Sequence, residues 1–226
     1  MIGYWPLNEA SGDTAYDHSG NENHGIINDG NDSTLPGANG PLGQNSYSFD
    51  GNNDFVNIGD TSVLNPSNQI TVSIWINASQ WGDDWNLIVD KYDGAHSYNF
   101  QASSEGGNGL NGTLNVGGTT YNVSIVSDMT EYLNNWHMIS MTYSGEKIKT
   151  FWDGKLQNAT SVSGQIYQSS ADLGIANRPG DIQTRYAYGG KISELRLYDR
   201  PLTKSEVQYL YQVGNRGLHT TNKKTS

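Results

Sequence analysis

The chain has 226 residues, with 13 Lys and Arg against 23 Asp and Glu, a formal net charge of −10 and an isoelectric point near 4.7. That balance excludes nucleic acid as a partner, because phosphate binding needs a basic face, and the lack of cysteine excludes a disulfide framework and thiol chemistry. No apolar run approaches the roughly 20 residues that cross a bilayer, so membrane insertion is not expected.

Glycine (27 residues) and abundant asparagine make the chain dense in turns, which favours short strands over helices. One domain is the natural reading of an all-β chain of this length. Met1-Ile-Gly-Tyr-Trp5 enters a strand at once, without the charged and apolar segments of a signal peptide. Either a leader has been removed, or the protein leaves its cell by another route, such as inside a virion.

Strand-like runs fall near 2–7, 24–28, 46–50, 54–58, 69–77, 86–92, 96–102, 109–115, 119–126, 136–144, 147–153, 171–176 and 186–198. Thirteen such runs followed by one helix predict an all-β, two-sheet antiparallel sandwich rather than a parallel α/β fold. Asp50-Gly51 and Asp153-Gly154 each stand between two runs and read as hairpin turns. The best-patterned run is Ile70-Thr-Val-Ser-Ile-Trp-Ile-Asn77. Its Ile70, Val72, Ile74 and Ile76 face the core, and Trp75 faces the other way, under a covering layer or on a binding surface. In the last run, Ile192, Glu194, Arg196 and Tyr198 alternate with Ser193, Leu195, Leu197 and Asp199. Pro201 ends that strand, and Thr203 with Glu206 then forms a capping box ahead of the apolar stripe Val207, Leu210 and Tyr211. Residues 214–226 are polar, slightly basic and aperiodic, and read as a tail or linker beyond a domain of residues 1–213.

This closing strand and helix, Gly190 to Tyr211, resembles the end of the laminin-G-like jelly roll of the concanavalin A-like lectin/glucanase superfamily. Four more segments match that pattern in order. They are Tyr4-Trp-Pro-Leu-Asn-Glu-Ala-Ser-Gly-Asp13 with Asp17-His-Ser-Gly-Asn-Glu-Asn-His-Gly25, then Tyr47-Ser-Phe-Asp-Gly-Asn-Asn-Asp-Phe-Val56, then Ile70 to Ile76, and finally Trp136-His-Met-Ile-Ser-Met-Thr-Tyr143 with Phe151-Trp-Asp-Gly-Lys155. The resemblance spans residues 2–213. It implies a jelly-roll scaffold used mostly for binding glycans and proteins, often with a calcium ion near a sheet edge. It also implies neighbouring first and last strands. Glucanases of the superfamily carry Glu-x-Asp-x-x-Glu on one strand; this chain has no such run, so no catalysis is expected.

Two sets of residues stand out against that scaffold. The loop from Asp17 to Gly25 packs carboxylate, amide and hydroxyl oxygens into a glycine-bent turn, and calcium takes six to eight such ligands. Asp17, Asn21 and Asn23 are the candidate ligands, with Glu194 able to complete the site. The alternative is that Asp17 and Asn21 make side-chain-to-backbone turns that only hold the loop. The second set is Trp81-Gly-Asp-Asp-Trp85, two tryptophans flanking two aspartates. Sugars need a flat aromatic face ringed by carboxylates and amides. Trp81, Trp85 and Tyr98 would stack on sugar, Asp83 and Asp84 would bond hydroxyls or a second cation, and Tyr92 and His96 would line the same rim. In the alternative, Trp81 or Trp85 plugs the open end of the sandwich. Tyr186-Ala-Tyr188 is a lesser patch. These readings add up to a non-catalytic module that binds a glycan outside a cell or on a virion. The competing expectation is a virion or adhesion protein that contacts only other proteins, a polysaccharide hydrolase or lyase stands behind both, and the sequence leaves the oligomeric state open.

Overall fold

In the strand Ile70–Ala78 every second side chain of Ile70, Val72, Ile74 and Ile76 is buried in one hydrophobic core. The same alternation repeated along the chain builds two antiparallel sheets. The computed structural model describes residues 1–29, 40–81, 85–103 and 109–221. One sheet has seven strands, in the order β1 (Gly3–Trp5), β15 (Gly189–Tyr198), β6 (Ile70–Ala78), β11 (His137–Tyr143), β12 (Lys147–Trp152) and β13 (Lys155–Ser161), with β4 (Tyr47–Asp50) also paired to β15. The other has eight: β10 (Thr119–Val126), β9 (Gly109–Val116), β8 (His96–Ser103), β7 (Trp85–Tyr92), β14 (Leu173–Ile175), β5 (Phe55–Gly59), β3 (Gly25–Asn28) and β2 (Thr14–Ala15). The first and last strands are neighbours, with Gly3 opposite Leu197 and Trp5 opposite Leu195.

All thirteen expected runs are strands, and two further strands escaped the pattern. β2 is only two residues long. β13 lies at a sheet edge and is almost wholly exposed, so it has no apolar alternation to read. Asp153-Gly154 is the expected hairpin turn between β12 and β13, with φ of 50° and 74°, the positive values that a type I′ turn requires. Asp50-Gly51 is not a hairpin. It joins β4 in one sheet to β5 in the other, and the turn is held by Asp54, whose Oδ2 accepts the Asp50 N–H at 2.9 Å.

β15 departs from simple alternation. Ile192, Leu195 and Leu197 all reach the core, which strict period two forbids. A bulge between Ser193 and Arg196, with Glu194 at φ 61°, switches the faces midway.

Trp75 lies under a covering layer. The helix α1 (Lys204–Thr221) crosses the outer face of the seven-stranded sheet, and Tyr211 stacks on Trp75 with ring centroids 5.6 Å apart at 14°. Leu202, Val207, Met138 and Phe151 complete this second, smaller core. Each buried aliphatic side chain there contributes about 1.5–3 kcal/mol. The capping box forms as expected: Glu206 Oε2 accepts the Thr203 N–H at 2.7 Å, and Thr203 Oγ1 accepts the Glu206 N–H at 3.2 Å. The tail reading is corrected at one point, since the helix runs past residue 214 to Thr221. Its glycines are the reason: Gly214 faces the Trp75 indole so closely that no side chain fits there. A polar stretch with two glycines carries little helical signal, and packing decides it.

Candidate functional site

On β8 the odd residues Ser97, Asn99 and Gln101 point away from the core, and the even residues Tyr98, Phe100 and Ala102 point into it. Opposite them on β7, Asp90 pairs with Asn99 and Leu87 with Gln101. A register irregularity between Leu87 and Val89 keeps Leu87 and Asp90 on the same outer face although they are three residues apart. β9 and β10 extend this face with Thr113, whose Oγ1 donates to Asn122 Oδ1 at 2.8 Å.

A cleft of about 270 Å³ opens on this outer face. Trp85, Leu87 and Tyr92 from β7 form one side of its lining, and Gln101, Thr120 and Asn122 supply amide and hydroxyl groups. Arg178, His96 and Tyr186 complete it. Behind the lining sits Asp90, only 1 % exposed. Its Oδ2 accepts Arg178 Nε at 2.7 Å, and its Oδ1 lies 3.0 Å from His96 Nδ1. Asn99 Nδ2 stands between them, 3.4 Å from the same Oδ1 and 3.2 Å from His96 Nδ1. Arg178 is clamped between two rings, with its guanidinium carbon 3.9 Å from the Tyr92 centroid and 4.6 Å from that of Tyr186. The Arg185 guanidinium carbon lies 4.7 Å from the Tyr186 centroid, and an Arg185 Nη donates to the Tyr186 hydroxyl at 2.7 Å. The result is a fixed cationic wall with aromatic and amide neighbours.

The expected sugar-binding residues divide accordingly. Trp85 and Tyr92 line the cleft together with His96 and Tyr186. Trp81 does not. It packs against the main core, edge-on to the fully buried Tyr188, and its indole N–H reaches the Met129 carbonyl at 3.4 Å, the plugging role. Tyr98 is likewise corrected: it is completely buried, donates its hydroxyl proton to the Leu64 carbonyl at 3.1 Å, and burial pushes its pKa well up. Period two along β8 points it inward, a stronger signal than its aromatic ring. Asp83 and Asp84 lie outside the described residues. Arg178 escaped sequence reasoning because it reaches the cleft from a loop 88 positions beyond Asp90.

The Asp17 loop does not fit calcium. Asp17 Oδ1 accepts the N–H groups of Tyr4 and Ser19 at 2.9 and 2.8 Å, and Oδ2 accepts the Ser19 hydroxyl and the Asn23 N–H at 2.8 and 3.1 Å. Asn21 turns its Nδ2 donor toward the Ile2 carbonyl, and Asn23 Oδ1 accepts the Thr61 hydroxyl at 2.9 Å. Glu194, 1 % exposed, is bound by the Tyr4 hydroxyl at 3.2 Å and by Arg196. Burial pushes the Glu194 carboxyl up in pKa, against the pull of Arg196. The Asp17, Asn23 and Glu194 side-chain oxygens already accept protein donors, and a cation there would face N–H and O–H dipoles turned the wrong way. Among the described residues no group of three His, Asp or Glu is placed to hold a metal ion. Asp17 and Asn21 instead tie the N-terminal strand to its loop, Glu194 ties that strand to β15, and Asn23 ties the loop to Thr61.

No characterised protein matches the chain in sequence. Several solved structures share its fold. The binding domain of Paraclostridial Mosquitocidal Protein 1 aligns with a TM-score of 0.67 at 16 % identity, over 92 % of this chain and 51 % of that one. The binding domain of botulinum neurotoxin serotype G aligns with a TM-score of 0.71 at 14 % identity, over 94 % and 50 %. This chain therefore spans about half the length of those two domains. Domain 4 of AbnA, an extracellular arabinanase from Geobacillus stearothermophilus solved with arabinotriose, aligns with a TM-score of 0.68 at 17 % identity, over 93 % and 98 %. At these identities the likeness is one of fold. A family model matches residues 50–208, from the β4–β5 turn into α1, and the chain accordingly belongs to the concanavalin A-like lectin/glucanases superfamily.

Proposed function

We propose that this protein is a carbohydrate-binding module whose ligand occupies the cleft on the outer face of the eight-stranded sheet. The observation that carries the reading is the lining itself: Trp85 and Tyr92 beside the amides of Gln101 and Asn122 and the Arg178 guanidinium. Aromatic rings receive the C–H faces of a sugar, and convergent amides and a guanidinium receive its hydroxyls. The AbnA domain, solved with a bound oligosaccharide, supports a glycan role for this scaffold. We read the module as non-catalytic, since glycoside hydrolysis commonly needs two facing carboxylates and the described lining supplies none. Display outside a cell or on a virion surface accords with such a role. No helix among the described residues is long and apolar enough to cross a membrane.

Binding to a broad glycan array, followed by titration calorimetry on the hits, tests the proposal. Trp85→Ala should weaken a selective hit by about tenfold, since aromatic stacking and its buried area are worth roughly 1–2 kcal/mol. A blank array, or hits that Trp85→Ala leaves unchanged, would overturn it. After a blank array a protein-contact role in a virion or adhesion assembly would stand, and the oligomeric state in solution would be measured next; hits that Trp85→Ala leaves unchanged would move the glycan site away from this cleft.

A further inference from the structure

We infer that the ligand of this cleft is a carboxylate-bearing sugar, a uronic or sialic acid residue, read by the Arg178 guanidinium. The inference rests on the glycan-binding reading above and narrows it.

The first argument is charge. The chain carries 23 acidic against 13 basic residues, yet the described lining of the cleft contains one arginine and no carboxylate. Neutral sugars are commonly gripped by carboxylates, which accept from two hydroxyls at once. Here the Asp90 carboxylate is buried behind the described lining, accepts from Arg178 and lies 3.0 Å from His96 Nδ1. It serves the protein, not a ligand.

The second argument is geometry. Asp90 takes Arg178 through Nε, which leaves the two Nη groups of the fork without a hydrogen-bond partner among the described residues. A guanidinium held this way presents two parallel N–H donors, the arrangement that matches a carboxylate bidentately. The Tyr92 and Tyr186 rings fix its plane, and its side chain is only 11 % exposed. Little rotational freedom is left to lose on binding. Arg185, bonded to the hydroxyl of the lining residue Tyr186, adds a second positive charge near the cleft.

Removing Arg178 outright strands the Asp90 charge, so the decisive comparison varies the ligand. Calorimetry would pair an oligogalacturonate with its carboxyl-reduced counterpart, and sialyllactose with lactose. The expected result is that one acidic member binds at least about tenfold more tightly than its neutral partner, the scale of a charged hydrogen-bond pair. The uronate and sialoside arms tell the two sources apart. Arg178→Lys, which keeps a positive charge facing Asp90 but loses the fork, should reduce that preference in a variant that circular dichroism shows to be folded. Neutral members binding as well as acidic ones would overturn this inference and leave the module intact. Failure of every member of both pairs would overturn this inference, and a blank array the module with it.

Discussion

Gly214 sits in α1 directly over the indole of Trp75. A Cβ built there would lie 2.5 Å from Cζ2, 2.7 Å from Cε2 and 2.8 Å from Nε1 of that ring. Separations this short do not occur between carbon atoms in a relaxed core, so something must move. The ring has nowhere to go, because it is 1 % exposed and stacked on Tyr211. Helix propensity alone would favour Gly214→Ala by about 0.8–1 kcal/mol. Overpacking a tight site costs about 1–3 kcal/mol, with the upper part of that range expected where the obstacle is a rigid ring. The net expectation is a loss of about 1–2 kcal/mol, or a melting temperature lower by roughly 2–8 °C for a domain of this size. Thermal unfolding followed by near-ultraviolet circular dichroism reads both the midpoint and the Trp75–Tyr211 pair. A variant that melts at or above the parent temperature would refute the reasoning, because propensity would then have outweighed the contact and the helix could not lie so near the sheet.

The Asp17 loop supplies a second expectation: Asp17→Ala strands four protein donors and should cost about 2–4 kcal/mol by denaturant unfolding, while calcium or chelator should leave the parent midpoint in place. A clear rise of the midpoint with calcium would show that the loop binds it after all. The helix cap supplies a third. The Arg200 guanidinium, with the Thr203 donors, lowers the Glu206 carboxyl from 4.5 to about 2. A carboxyl whose pKa falls on folding adds stability above its unfolded value and loses it as the pH drops toward the folded one. Stability of the parent should therefore decline between about pH 5 and pH 2 more steeply than that of Glu206→Gln, as measured by urea unfolding at each pH; parallel profiles would contradict the cap.

Much of the architecture was legible because the sandwich is built from local alternation. Ile70, Val72, Ile74 and Ile76 announce a core face, and Thr203 with Glu206 announces a helix start, without reference to any distant residue. The unread parts have physical reasons. β13 is an exposed edge strand with no apolar face to repeat. The bulge at Glu194 breaks the period that identified its strand. Helix α1 continues through Gly214 because Trp75 demands a residue without a side chain there, although glycine disfavours helix by itself.

The candidate site divides along the same line. Sequence alone established an acidic, cysteine-free, all-β chain, the order of its strands and an aromatic concentration around Trp85 and Tyr92. Tertiary structure alone decided which of those aromatics face outward: Tyr98 and Trp81 went to the core, and Tyr186 came to the cleft. It also brought Arg178 to Asp90 across 88 positions. Periodicity encodes only which side of its own strand a residue takes. The partners it meets there are set by how the sheets pair and where the connecting loops land, which no local pattern records.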